Sequence, residues 1–367
     1  MSDLFVQFLN GVTIAMTIYL IASGLSLVFG VLGVLNFAHG SLYMYGSFLL
    51  FTLMHHVFHT PSSFWIGLLV VPLLVAVLGA ALEMGFLRFI YRADPLYQLL
   101  LTYGLVLIMS DVVKLIWGAE NQSVSRPPGF NGSVAIFGQL FPSYSIFILL
   151  PCGIVTMIGL YVFLNRTRLG RIIRAATQDR EMIGALGINV RLLYTGVFAL
   201  GAWLGGLGGV IAAPMGAIYP GMDLDIIIDA FIVVVIGGLG SLAGTVLGAL
   251  IFGLLRSFGI LFVPQFETLF IFILMAIVLV VRPQGLLGKH VTRRLSENYD
   301  SQSFGPGGGM SILIQTSHRL RRDDTKPPFS GSGPFKNAIS SLLQCPLVGL
   351  ARMLHAPIAP NLEQIMG

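Results

Sequence analysis

Charge is what this chain has least of. Asp, Glu, Lys and Arg make up 10% of its 367 residues, against 55% hydrophobic, where a soluble domain carries about 25% charged residues. Mean hydropathy is +0.86. That balance excludes a soluble enzyme and points to a multi-pass membrane protein, whose spanning backbone groups must all pair internally. Cysteine is nearly absent too: Cys152 and Cys345 have no spacing for a metal site or a disulfide framework. No GK[ST] follows any glycine-rich run, so the chain lacks a nucleotide-binding phosphate loop, and no cofactor is expected. The spans hold no dense set of acids, which weakens a proton-driven carrier. The net charge of +5 does not indicate nucleic acid, because the basic residues gather in a few loops, as the positive-inside pattern requires. No basic n-region precedes the first apolar stretch, which is already span-length, so no cleavable signal peptide is expected.

What is present is a series of apolar runs long enough to cross a bilayer, which takes about 20 residues. They are Phe5–Val34, Phe37–Phe58, Phe64–Phe89, Leu96–Trp117, Ile146–Leu164, Leu192–Pro214, the long stretch Ile226–Phe258, and Glu267–Val281. The basic loops fix a side. Asn165–Arg191, Arg88 with Arg92, and Arg282, Lys289, Arg293 and Arg294 face the cytoplasm. The loop Gly118–Ser143 and the turn Tyr219–Asp225 then face outward. Parity requires Ile226–Phe258 to break at Gly237-Gly238-Leu239-Gly240-Ser241 and turn back, or the basic tail would land outside. One tilted helix with flexible glycines is the alternative. The expected fold is all-α, a polytopic transmembrane bundle of about eight or nine helices with broken or re-entrant segments. Its N-terminus is outside and its C-terminus inside.

The run Asn165–Arg191 holds six of the 21 basic residues against two acids, Asp179 and Glu181. Projected as one helix over Arg171–Leu186, it gathers Met182, Ala175, Leu186, Ile172, Ile183 and Ala176 into a stripe of roughly 120°. Arg171 lies at the edge, Arg174 and Glu181 well off it, and Asp179 in the middle. A helix lying on the anionic inner leaflet is one reading. A carboxylate at the centre of an apolar stripe is costly unless paired, so a helix seated in a groove of a cytoplasmic protein fits Asp179 better.

Other features are local. In Leu35-Asn36-Phe37-Ala38-His39-Gly40-Ser41, Asn and His flank a junction of two apolar segments. Such residues face a cavity or partner rather than lipid, or they cap an interfacial turn. Gly201, Gly205, Gly209 and Ala213, and again Gly244, Gly248 and Ala249 to Gly253, form small-xxx-small ridges that let helices approach closely. His55 and His59 share a helix face, where a metal is conceivable, but a span end commonly carries such residues. Gly-Ser-Leu recurs at Gly40–Leu42 and Gly240–Leu242, a match short enough for chance. Glu83, Asp111, Lys114, Asp229, Arg256 and Glu267 are the charges within or near spans, and Asp111 can pair with Lys114.

Four stretches in order carry a resemblance: Leu35–Gly40; Arg168-Leu169-Gly170-Arg171 with Arg174-Ala175, Asp179 and Ala185-Leu186-Gly187-Ile188-Asn189; Ile236–Ser241; and Arg282-Pro283-Gln284-Gly285-Leu286-Leu287-Gly288. Over about residues 4 to 294 the chain resembles the LivH-type inner-membrane permeases of bacterial branched-chain amino acid ABC importers. The resemblance implies uptake of leucine, isoleucine and valine, driven by two cytoplasmic ABC ATPase subunits. It also implies a second homologous permease subunit and a periplasmic substrate-binding protein, for which the Gly118–Ser143 loop is a candidate contact. It places ATPase coupling on Gly170, Arg171, Arg174, Asp179 and Gly187. Asn36, His39, Gly40, Gly237, Gly238, Gly240 and Ser241 are the candidates for the substrate pathway or gate. Similar permeases serve urea or short amides, and a stand-alone secondary transporter or channel is the reading from another class. The family pattern ends near Gly288–Arg294. Residues 1–294 are therefore expected to form the permease domain and 295–367 a cytoplasmic, disordered extension, rich in Gly, Pro and Ser at Phe304–Gly309 and Pro327–Pro334.

Overall fold

Long apolar runs leave the backbone no hydrogen-bond partner but itself, and among the described residues the chain responds with eleven α-helices. The computed structural model describes residues 2–57, 63–91, 93–136, 139–177, 180–262 and 264–288, all within the unit Met1–Val291. The expected boundary at 294, the extension 295–367, Asp179 and His59 lie outside them. The helices are α1 (Ser2–Leu32), α2 (Ala38–Thr52, continued by a π-helical turn, Leu53–Val57), α3 (Ser63–Gly85), α4 (Pro95–Trp117), α5 (Leu150–Arg166), α6 (Arg168–Ala176), α7 (Arg180–Ala185), α8 (Val190–Ala212), α9 (Met222–Gly237), α10 (Leu242–Phe262) and α11 (Glu267–Val281). Six helical segments, containing α1, α3, α4, α5, α8 and α10, are long and apolar enough to cross a membrane unaided.

The stretch Ile226–Phe258 breaks where parity required. Gly238 and Gly240 take φ of +106° and +78°, values an L side chain rarely adopts. A Cβ on Gly244 would meet Gly237, and one on Gly248 would meet the Val233 carbonyl, so α10 runs back antiparallel along α9. The C-terminal Arg282–Gly288 stretch closes this turn. Leu286 N–H donates to the Ile236 carbonyl at 2.9 Å and Leu287 N–H to the Gly237 carbonyl at 3.0 Å.

Two helices, α1 and α8, form the centre. They run antiparallel, with Gly24 against Gly201 and Leu20 against Gly208. α10 lies antiparallel on the other side of α1, Gly253 near Gly11 and Gly240 near Gly30, and Ser257 Oγ donates to the Gln7 carbonyl at 2.7 Å. α2 packs parallel to α8, and α3 antiparallel to it through Gly79 with Ala202 and Gly206 with Val75. The expected outward loop carries a short antiparallel hairpin, Ser133–Ile136 with Gln139–Pro142. It is the one addition to the all-helical expectation among the described residues. Its neighbour Gln122 pairs with Ile218 through two 2.8 Å backbone bonds.

Small residues set these distances. A Cβ on Gly209 would land on the Tyr43 carbonyl, whereas Gly216 has nothing within 4 Å of its Cβ position. Gly209→Ala should therefore force α2 from α8 and cost about 1–3 kcal/mol, read as a lowered thermal midpoint in detergent, while Gly216→Ala leaves the midpoint in place. Equal midpoints for the two variants would contradict the seam.

Candidate functional site

Polar side chains collect halfway along the central helices. α8 runs from Val190 to Ala212, and the His39 ring lies against Gly201 and Gly205 near its middle, and against Gly24 of α1. His39 is here because the chain leaves α1 at Leu32, doubles back through Gly33 (φ +70°) and starts α2 at mid-depth. His39 and Asn36 are 0% and 1% exposed. Neither amide atom of Asn36 has a hydrogen-bond partner, nor has either ring nitrogen of His39 a bond of good geometry, although the Ile21 backbone interacts with the ring. Asn36 borders a gap of about 10 Å³ between Leu25, Ile227 and Phe231, the least space that admits a single water.

The start of α9 completes the cluster. A Cβ on Gly40 would meet the Asp223 carbonyl, so two helix N-termini abut at this depth. Ser41 Oγ donates to Asp223 Oδ2 at 2.7 Å, while Asp223 Oδ1 and Ser26 Oγ are buried without a bond of good geometry, although the backbone N–H groups of Asp223 and Leu224 interact with the carboxylate. The sequence placed Asp223 on an outward turn. In the structure it is 1% exposed, and only its neighbours Tyr219 and Asp225 remain at the surface, joined by a 2.7 Å hydrogen bond. That bond raises the Tyr219 phenol above its ordinary pKa. Unpaired polar groups in an apolar interior are expensive, so a cluster of them at the meeting of broken helices calls for a role beyond packing.

Two cavities lie on the side of the cluster toward the C-terminal end of α8. One of about 250 Å³ is bordered by Tyr43, Ser47, Ile218 and Met222. The other, of about 290 Å³, is bordered by Asn10, Thr13, Ser145 and Ser257. Met215 lines both. The structure thus brings Asn36, His39 and Gly40 together and adds Ser41 and Asp223. It sets Gly237, Gly238, Gly240 and Ser241 apart, at the far end of α9, fourteen residues or about 21 Å beyond Asp223. There they form the close-packed turn already described.

The basic run lies at the opposite end of α8 from the cavities. It is two helices rather than one. Thr167 caps α6 by accepting from Gly170 N–H at 3.0 Å, and Gly170 is pressed onto the backbone of Phe163 and Leu164. Thr177 donates to the Arg174 carbonyl at 2.7 Å as α6 ends. The single-helix projection fails for that reason. Ile173, Ala176 and Ile183 turn inward, while Leu169, Met182 and Leu186 are 60%, 60% and 72% exposed. Arg171 is exposed, and Arg174 Nη1 donates to Asn165 Oδ1 at 2.7 Å. Gly187, with φ +81°, ends α7: its N–H meets the Gly184 carbonyl and Ile188 N–H meets the Ile183 carbonyl at 3.1 and 3.4 Å, a left-handed C-cap. Asn189 Oδ1 then caps α8, accepting from Arg191 and Leu192 N–H.

Residues 7–279 match the family model of the branched-chain amino acid transport system permease component. The chain is 31% identical over 292 residues to the high-affinity branched-chain amino acid transport system permease protein BraD of Pseudomonas aeruginosa, covering 77% of this chain and 95% of that one. It is 30% identical over 304 residues to LivH of Escherichia coli, covering 79% and 98%. It is also 28% identical over 302 residues to LivM of the same organism, covering 75% and 68%. No solved structure matches.

Ser41→Ala would remove the hydroxyl that donates to Asp223 Oδ2 and cost about 1–3 kcal/mol. Ser41→Thr should recover much of that, both read by thermal unfolding. Gly187→Ala forces a Cβ into the left-handed region at a cost of about 1–2 kcal/mol. Amide exchange should then quicken in α7 and leave α8 unchanged beyond its first turn.

Proposed function

The chain belongs to the permease components of the branched-chain amino acid transport system, and from that membership we propose that it is one permease subunit of an ATP-driven importer of leucine, isoleucine and valine. The carrying observation is the extent of the match. It covers nearly the whole described bundle, and 95% to 98% of the two relatives. The protein does no covalent chemistry. It forms half of a path that opens alternately to the two sides, and a second, related permease supplies the other half. The likeness to LivM as well as to LivH and BraD supports such a pairing.

The polarity of the bundle supports a division of labour. The cavities and the Gln122–Ile218 loops occupy one end and take substrate from a periplasmic binding protein. Asn36, His39, Ser41 and Asp223 form the polar constriction at mid-depth, with donors and acceptors free to meet an ammonium or carboxylate in transit. At the other end, in the cytoplasm, α6 and α7 present Leu169, Met182 and Leu186 with Arg171 to a partner ATPase, and Asp179 falls between these two helices in sequence. Gly170 and Gly187 hold these short helices against α5 and α8. The turn Gly237–Ser241 closes the same end of the bundle. This orientation leaves the N-terminus outside and the C-terminus inside.

Reconstituted with its ATPases, second permease and binding protein, the complex should import leucine only with ATP. Asp179→Arg should lower that uptake by more than about tenfold, the effect of losing roughly 1.4 kcal/mol of docking, and weaken ATPase co-purification. Uptake without ATP would overturn the importer reading. Unchanged uptake and co-purification in Asp179→Arg would overturn the docking role.

A further inference from the structure

Glu83, in the last turn of α3, is wholly buried and joined at once to α8 and to the connection between α3 and α4. Its Oε2 accepts from Thr195 Oγ1 of α8 at 2.6 Å. Its Oε1 accepts from the Tyr91 hydroxyl at 2.8 Å. Arg88 Nη2 lies 3.4 Å from Oε2 and donates to Thr195 Oγ1 at 2.8 Å. Arg88 and Tyr91 belong to the connection between α3 and α4. The Tyr91 ring meets Tyr194 of α8 edge-on at 5.4 Å. Burial, then the bond to Glu83, raises the Tyr91 phenol, so its hydroxyl stays a donor. Gln98 of α4 ties down the same connection, donating to the carbonyls of Ile90 and Ala93 at 3.1 and 3.0 Å.

The position of this network sets it apart from ordinary helix packing. Thr195 is six residues past the Asn189 cap, about 9 Å along the helix. It is therefore within two turns of the segment that the proposed function rests on the ATPase. α3 and α8 are already held one to two turns away by Phe198, Ala202 and Gly79, so their association does not need a buried acid. A buried charge is costly unless its partners stay in place. A short, directional set of bonds moves as a unit when one member moves, where an apolar contact can slide.

We propose that Glu83 is a positioning residue for transport. It carries a displacement of segment 168–188 from the first turns of α8 into the α3–α4 connection, and so into α3 and α4. The inference rests on the ATPase-driven reading. It makes the two loops at this end of the bundle one lever rather than two.

The test uses the complete reconstituted complex with leucine and its binding protein, and reads leucine imported per ATP hydrolysed. Glu83→Gln keeps the shape and removes the charge, and Tyr91→Phe removes one donor while leaving the ring on Tyr194. Both should lower the ratio by about 2- to 30-fold, the range by which residues on a coupling route alter it. Phe198→Leu weakens the same α3–α8 seam without touching the carboxylate and should keep the wild-type ratio at a comparable loss of thermal midpoint. The proposal is overturned by a wild-type ratio in Tyr91→Phe, which decides the matter should Glu83→Gln fail to fold. An equal fall in Phe198→Leu overturns it too. If wild-type complex itself shows no ATP-dependent uptake, the importer reading fails instead.

Discussion

Backbone-to-backbone contact along α8 is the constraint on which the rest of the bundle depends. In hydrocarbon the hydrophobic effect does not drive one apolar helix against another, so association relies on close approach. Gly201, Gly206 and Gly209 allow it on three sides, toward α1, α3 and α2. Because α2 can lie directly on α8, its N-terminus can be placed at mid-depth, and the polar cluster exists only because of that placement. α3, α4 and α5 then complete the outside with large apolar side chains such as Leu69, Leu100 and Val155, 71%, 70% and 66% exposed.

What the sequence made legible follows from short-range physics. Span length and basic loops located the helices, and charge parity with the glycines at 237–241 located the reversal between α9 and α10. The polar pair Asn36 and His39 stood out because such residues do not face lipid. The basic run was found, but its inner structure was not. A helical projection assumes continuity, and Thr177 ends α6 before the apolar stripe is complete. Ile173 therefore packs inward, a residue the stripe had not included.

The misses are contacts made across long stretches of chain. Asp223 read as a surface acid because its neighbours Asp225 and Tyr219 are at the surface, and only the fold brings Ser41, 182 residues away, to its carboxylate. Glu83 and Thr195 are 112 residues apart. Thr195 carries no pattern of its own, since a threonine on an apolar helix ordinarily bonds a carbonyl of its own preceding turn. Both sites combine a buried acid with a hydroxyl donor from another helix, a pairing that leaves no periodicity in sequence.

The turn at the end of α9 has a consequence in time as well as in space. Two of the carbonyls that a helix C-terminus leaves open are filled by N–H groups from Leu286 and Leu287, fifty residues further along. During synthesis these two carbonyls lack their native donors until α10 and α11 have both been made. The last turn of α9 is finished by a segment that follows all three helices in sequence, so a chain halted before Leu286 lacks both donors that complete it.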